Sequence, residues 1–277
     1  MRIDLHTHST ASDGTLTPTE LFDFASQAGL DVVAITDHDT IDGWPTEPSS
    51  VTVVRGAEIS CGHQGISLHL LGYLFDPGHE ELARALDALR DSRIGRAEAM
   101  VELLVADDVP VTWEQVRAIA GGTVGRPHVA QALIEAGLVG SIAEAFTPAW
   151  IGTGGRYWRG KLELDVLDAI RMVRDAGGVS AFAHPAAAAR GRVVPHEAIA
   201  EMAAAGLDGL EVGHPDHDQA QQQAMASVAR DLGLLATGSS DFHGSNKDVQ
   251  LGQHLTNPEV YDELVSRASG IPVLARA

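Results

Sequence analysis

The chain has 277 residues, with 19 Lys+Arg against 38 Asp+Glu, a formal charge of −19, together with 13 His and a single Cys. That balance excludes a broad nucleic-acid coat or an anionic membrane surface as the main partner, since both require cationic faces. The lone Cys61 excludes an internal disulfide framework and a thiolate-rich zinc site, which leaves the surplus of His and carboxylate as the unusual feature.

Residues 2–6 read as a short strand. In TLTPTELFDFASQAG (15–29), Thr17 is placed as N-cap, Pro18 at the first helical position and Glu20 for a capping box. Leu21, Phe22, Phe24, Ala25 and Ala28 follow at helical spacing, and Gly29 closes the helix. DVVAIT (31–36) is a β-branched buried strand, and VTVVRGAEIS (51–60) and ISLHLLGYLF (66–75) are two more. From about residue 79 the pattern changes: Leu82, Leu86, Leu89, Ala97, Met100 and Leu104 form the core stripe of a long helix. Shorter helical stretches near 113–120, 127–137 and 140–146 precede a Gly-rich loop, IGTGGRYWRG (151–160).

Alternation then resumes. Helices at 163–176, 195–205 and 217–232 lead to the strands VSAFAH (179–184), LDGLEVG (207–213) and LLATGS (234–239), and a last helix lies near 258–268. Seven strands joined mostly through helices predict an α/β fold, a parallel sheet closed into a barrel. Residues 1–84 and 161–277 would be its two parts and residues 85–160 a helical insertion. Charge divides the chain in the same way: residues 1–83 hold two bases and 13 acids, residues 84–160 eight and nine, residues 161–277 nine and 16. The middle third is thus nearly neutral between acidic flanks, which marks a segment with a separate task. No stretch approaches the ~18 apolar residues of a membrane span. MRIDLHTHST also lacks the apolar core of a signal peptide, so a cytoplasmic protein with no membrane partner is expected.

In such a barrel the chemistry lies where strands end. The first strand ends in DLHTH, with His6 and His8 two apart and so on one side of an extended chain. Asp13 follows in a Ser-Asp-Gly turn. The second strand ends in TDHD (His38), the third at Glu58, the fifth in AHP, where Pro185 is expected to keep His184 extended, and the last in SSDFHG (Asp241, His243); His69 lies inside the fourth. One histidine at a strand end is ordinarily a hydrogen-bonded structural residue. When nearly every strand supplies an imidazole or carboxylate at the same end, a multinuclear metal site becomes the simpler reading.

The segments DLHTHSTASDG (4–14), ITDHDT (35–40), GAEIS (56–60), HLLGYLFD (69–76), GRPHVAQAL (125–133), AHP (183–185) and GSSDFHG (238–244) resemble the polymerase and histidinol phosphatase (PHP) phosphoesterases. The resemblance implies a distorted seven-stranded (β/α) barrel holding three metal ions. Carried over, His6, His8, Glu58 and Asp241 would bind the first metal and Asp13, His38 and His243 the second. Glu58, bridging, with His69 and His184 would bind the third. Mixed N/O ligands without thiolate suit Mn²⁺, Zn²⁺ or Fe²⁺, with Mn²⁺ the first expectation. Six neutral imidazoles and three carboxylates around three divalent ions leave a pocket of about +3, which draws an anionic substrate into an acidic protein. A metal-held hydroxide would be the nucleophile, with no protein nucleophile required.

The insertion is expected to hold the substrate. In GRPHVAQAL, Pro127 fits the first turn of a helix, so Arg126 and the free N–H groups there form a phosphate site, with His128 beside them. Arg156 alternates with aromatics in RYWR, a pattern that fits stacking on a base, clamping a second phosphate or a packed loop alike. Arg90, Arg93 and Arg96 read as a solvated helix face. Asp4 and Asp37 are candidates to orient ligand histidines, as is His214 more weakly.

The leading expectation is a metal-dependent phosphomonoesterase removing the 3′-phosphate of nucleoside 3′,5′-bisphosphates, one phosphate on the metals and the other on Arg126. Alternatives are 5′→3′ trimming of short oligonucleotides, histidinol-phosphate hydrolysis, and a non-catalytic metal-binding module.

Overall fold

The computed structural model describes residues 1–120 and 122–277. Its strands are β1 (Ile3–Asp4), β2 (Val32–Ile35), β3 (Thr52–His63), β4 (Ile66–Tyr73), β5 (Leu164–Asp165), β6 (Val179–Phe182), β7 (Gly209–Gly213) and β8 (Leu235–Gly238). They form one sheet in the order β1-β2-β3-β4-β6-β7-β8, with β5 pairing separately to β3. A parallel bridge between Thr7 and Phe242 brings the two ends together, so the seven-stranded path is nearly a closed barrel.

The helices are α1 (Pro18–Gln27), α2 (Glu80–Ala106), α3 (Trp113–Ala120), α4 (Arg126–Glu135), α5 (Ile142–Ala145), α6 (Val166–Asp175), α7 (His196–Ala205), α8 (Gln219–Leu232) and α9 (Pro258–Arg267). The expected capping box opens α1: Glu20 N donates to Thr17 Oγ1 (3.3 Å) and Thr17 N to Glu20 Oε2 (2.8 Å). Such a cap is worth about 1 kcal/mol. Among the described residues, no helix is long and apolar enough to cross a membrane.

Two expectations change. The sheet is not all parallel, because β4 runs antiparallel to both β3 and β6. Only Gln64 and Gly65 join β3 to β4, both at positive φ (49° and 74°), and a connection that short can only be a hairpin. Nor does β3 end at Glu58. It continues to His63 because the hairpin pairs Glu58 with Leu71 and Ser60 with His69. Glu58 therefore projects from the middle of a strand held on both edges.

The apolar interior lies in several clusters. The first turns of α2 (Leu82, Leu86, Leu89) join the cluster of Ile59, Leu70, Ile170 and Leu210. Its later turns (Ala97, Met100, Leu104) join a separate cluster with Val116, Val129, Leu133, Ile151 and Tyr157. Each buried Leu or Met is worth about 1.5–3 kcal/mol. α2 is thus one rigid rod, starting at Glu80, that fastens the helices of residues 113–145 to the barrel.

Candidate metal centre

The parallel strands deliver their last residues to one end of the barrel. His6 and His8 follow β1, His38 follows β2, His184 follows β6, and Asp241 and His243 follow β8, while Glu58 and His69 reach in from the antiparallel hairpin. Asp13 arrives on a tight turn in which Ser12 N and Gly14 N both donate to Ser9 O (3.1 and 2.9 Å). A Cβ on Gly14 would lie 2.4 Å from His8 O, so only glycine closes that turn.

Glu58 is the hub. Its carboxylate is 1% exposed and five imidazoles crowd it. His6 Nε2, His8 Nε2 and His38 Nδ1 lie 3.2, 3.1 and 3.0 Å from Oε2, and His69 Nδ1 and His184 Nε2 lie 2.7 and 3.0 Å from Oε1. Asp241 Oδ1 is 3.4 Å from each of His6 Nε2, His8 Nε2 and His243 Nδ1. Asp13 faces His243 at 3.4 Å and His8 and His38 at 3.7 Å. All nine residues singled out by sequence therefore converge.

The donor set suits divalent ions. His6, His8, Glu58 and Asp241 form one group of mutually close ligand atoms; His8, Asp13, His38 and His243 form a second; His38, Glu58 and His69 form a third. His6 Nε2 and His8 Nε2 face each other at 3.1 Å, although at most one can donate to the other. His38 Nδ1 is buried and, although 3.0 Å from Glu58 Oε2, makes no well-aligned hydrogen bond among the described residues. Bare imidazole nitrogens turned on one another are poorly satisfied by protein alone, and cations among them would relieve that.

Titration follows the same crowding. Burial opposes protonation of His8, but hydrogen bonds to Asp241 and Glu58, which accept from the ring, outweigh it and bring its pKa up to about 9. Burial and the nearby Arg190 push His184 down to about 3, and burial with His8 pushes His243 down to about 4. Burial works against ionisation of Asp13, Glu58 and Asp241, yet the surrounding imidazoles and, for Asp241, Lys247 hold all three well below the usual carboxylate range.

The structure revises several supporting roles. His184 is not extended: its φ is 34°, and Asp39 (56°) and Asp241 (50°) are also left-handed. Proline restrains ψ of the preceding residue more than the sign of its φ, and packing at the site imposes this strained turn. Asp4 and Asp37 brace backbone rather than ligand rings. Asp4 accepts from the amides of His6, Ser240 and Gly252. Asp37 accepts from Ser9 N and Ser12 Oγ, and reaches His8 only through Ser12. The carboxylate on a ligand ring is Glu211, whose Oε1 is 3.1 Å from His6 Nδ1; nothing in the apolar run LDGLEVG had marked it. His214 Nε2 lies 3.3 Å from Asp241 Oδ2, beside Arg190 (2.6 Å) and Lys247 (2.7 Å).

Arg93 and Arg96 are not a solvated face, being 5% and 8% exposed. Arg93 Nε donates to Asp39 Oδ2 (2.9 Å) and its NH2 to Ser60 Oγ (3.0 Å). Arg90 is partly exposed and pairs with Asp87. Arg126 is half-buried with its guanidinium 5.0 Å from the centre of the Phe146 ring. His128 Nδ1 accepts from Gly125 N (2.9 Å), which leaves its Nε2 to donate. Arg156 is instead exposed and paired with Asp107 at the far end of α2.

The model of the PHP domain matches residues 4–91. A 5′-3′ exoribonuclease of Haemophilus influenzae is 32% identical, covering 92% of this chain and 94% of the relative. A 3′,5′-nucleoside bisphosphate phosphatase of Chromobacterium violaceum is 31% identical, covering 87% of each. A solved structure from Bifidobacterium adolescentis, assigned as a metal-dependent phosphoesterase, superposes with a TM-score of 0.91 at 34% identity over 96% of both chains.

Proposed function

We propose, for a chain that belongs to the PHP domain family and is a metal-dependent phosphoesterase, that it hydrolyses the 3′-phosphate of nucleoside 3′,5′-bisphosphates to give nucleoside 5′-monophosphate and phosphate. The observation that carries the phosphoesterase reading is Glu58, one buried carboxylate with five imidazoles within 3.2 Å. His6, His8, Glu58 and Asp241 would hold one ion, Asp13, His38 and His243 another, and Glu58, His69 and His184 a third, with Mn²⁺ first among Mn²⁺, Zn²⁺ and Fe²⁺. Bound there, divalent ions supply charge neutralisation at phosphorus and acidify an attacking water.

The chain's own residues do the rest by placement. Cys61 offers no competing nucleophile, since it is fully buried in β3 and burial pushes its thiol pKa well up. What favours a substrate with two phosphates is the cationic wall beside the cluster: Arg93 and Arg96 on α2 and Arg126 at the start of α4. Among the described residues Arg126 has Arg93 as its charged neighbour and only the Phe146 face as a close partner, which leaves its fork open to a phosphate. Burial lowers the pKa of His128, so the ring is neutral and donates from Nε2 near the same anion. Residues 85–160 would then be the cover that carries this second phosphate site, outside which Arg156 lies.

A second reading, 5′→3′ removal of nucleotides from short oligonucleotides, is favoured by the same wall, because a 5′-terminal phosphate can occupy it; the Haemophilus relative carries that activity in its name. One panel separates the readings. Mn²⁺-loaded protein is assayed on adenosine 3′,5′-bisphosphate, 5′-phosphorylated oligonucleotides and histidinol phosphate, comparing kcat/KM. The bisphosphate is expected to lead. Tenfold preference for oligonucleotides would replace the first reading by the second, and preference for histidinol phosphate would remove both.

A further inference from the structure

Lys161 directly follows the Gly-rich loop (151–160), and the proposed reaction does not use it. Its side chain is 9% exposed, and among the described residues its Nζ has no hydrogen-bond partner. Its nearest carboxylate, Glu163 Oε1, is 3.7 Å away and already accepts from Ser67 Oγ. Leu162 N donates to Ser92 Oγ (2.7 Å), which fastens this segment to α2 at the residue before Arg93 and one turn before Arg96. Arg96 is in the same condition, 8% exposed with Nε unpartnered.

Charges on every facing element can be counted. Arg93 and Arg96 come from α2, Arg126 from α4 and Lys161 from the loop; the facing carboxylates are Asp39 after β2 and Glu163 beside Lys161. Cys61 on β3 also faces Lys161, but burial keeps that thiol protonated. Four cations against these two carboxylates leave a surplus of two positive charges, with Arg93, Arg96 and Lys161 nearly buried and Arg126 half-buried. Buried charges without partners are costly, and the arrangement matches an anion of two charges.

We propose that Lys161 is a phosphate-binding, specificity-determining residue which, with Arg96 and Arg126, makes a subsite selective for a terminal phosphomonoester dianion over a phosphodiester. The inference rests on the two-phosphate reading above and deepens it. A terminal phosphate carries nearly two negative charges at neutral pH, a diester one. Both a nucleoside 3′,5′-bisphosphate and a 5′-phosphorylated oligonucleotide offer such a group at the 5′ end, so the subsite reads what the two candidate substrates share. Burial and Arg93 bring the Lys161 pKa down to about 8, against Asp39 and Glu163, so the ammonium weakens just above neutrality.

Two measurements on the full chain test this. First, adenosine 5′-monophosphate is titrated calorimetrically into metal-free protein, with adenosine as control. Lys161→Met is expected to weaken the nucleotide about tenfold, as loss of one charge-assisted hydrogen bond does, and to leave adenosine unchanged. Unchanged nucleotide affinity, or equal loss for adenosine, overturns the proposal. Second, in Mn²⁺-loaded protein, KM for adenosine 3′,5′-bisphosphate relative to its 5′-methyl ester and to adenosine 3′-monophosphate is followed from pH 7 to 9. The wild-type ratio should rise about tenfold, as for a cation with a pKa near 8, and Lys161→Arg should flatten it. A rise that persists in Lys161→Arg counts against Lys161, and this arm decides the matter should Lys161→Met fail to fold. Wild-type protein that binds the monophosphate but does not hydrolyse the bisphosphate would remove the proposed reaction and keep the subsite. Metal-dependent hydrolysis without such binding would do the reverse.

Discussion

Glu211 Oε1 lies 3.1 Å from His6 Nδ1, while Glu211 Oε2 accepts from the amide of His184 at 2.6 Å. One carboxylate at the middle of β7 thus orients a ring from β1 and a backbone turn from β6. By holding the proton on Nδ1 it leaves His6 Nε2 bare toward Glu58 and Asp241, the condition a metal ligand needs. His6 and His214 hold Glu211 far below the ordinary Glu range although burial opposes this, so it stays an anion at any working pH. Glu211→Gln keeps the shape and removes the charge. Metal affinity is expected to fall about 10–100-fold with the fold retained, read as bound Mn²⁺ per chain against free Mn²⁺. An unchanged binding curve would show that Glu211 merely fills space.

The strand-end residues His6, His8, His38, Asp241 and His243 were readable because the end of a strand fixes the end of the barrel at which its side chains collect. Residues joined across the sequence were not. Arg93 and Asp39 are 54 positions apart, and the spacing of Arg90, Arg93 and Arg96 is the same whether a helix face meets water or a buried carboxylate. Glu211 was hidden by its neighbours Leu210 and Val212, which make an ordinary strand. The antiparallel β4 was within reach, since five residues between two strand patterns cannot hold a crossover helix. The left-handed turns at His184 and Asp241 were not, because packing imposes them against local preference.

His8 belongs to two of the three ligand groups, so its loss should damage the centre more than loss of His69. His8→Ala is expected to lower turnover by at least about 100-fold, removing shared metal stabilisation of several kcal/mol. The fold should survive, because His8 follows β1 rather than packing in the apolar clusters. Far-UV circular dichroism and bound metal are the measurements. Loss of the native spectrum would instead make His8 structural.

Without metal, the site should be most stable near pH 6.5. His8 titrates near 9 in the folded chain and 6.5 unfolded, so its stabilisation is full below 6.5 and lost as pH rises through 9. His184 and His243 behave oppositely: folded values of about 3 and 4 mean that the unfolded chain binds their protons first, and stability falls as pH drops below 6.5. The depressed Asp13, Glu58 and Asp241 add to the acid loss. Melting temperature in chelator should therefore peak between pH 6 and 7. Mn²⁺ needs deprotonated imidazoles, so the gap between loaded and chelated protein should widen from pH 6.5 to 9. A constant gap would mean that metal does not compete with these protons.

Arg126 gives the sharpest separation of binding from chemistry. Among the described residues it has only Phe146 as a close partner, at 5.0 Å from the ring centre, so Arg126→Ala strands no buried carboxylate there and should cost little stability. In the two-phosphate reading it would remove a bidentate donor from the second phosphate alone. KM for adenosine 3′,5′-bisphosphate should rise about tenfold or more, while KM and kcat for a simple aryl phosphate, which reaches only the metals, should change less than about twofold. A contact made equally with bound substrate and transition state moves KM and spares kcat, so kcat on the bisphosphate should also hold. Equal losses on both substrates would place Arg126 at the reacting phosphate and end the two-phosphate reading.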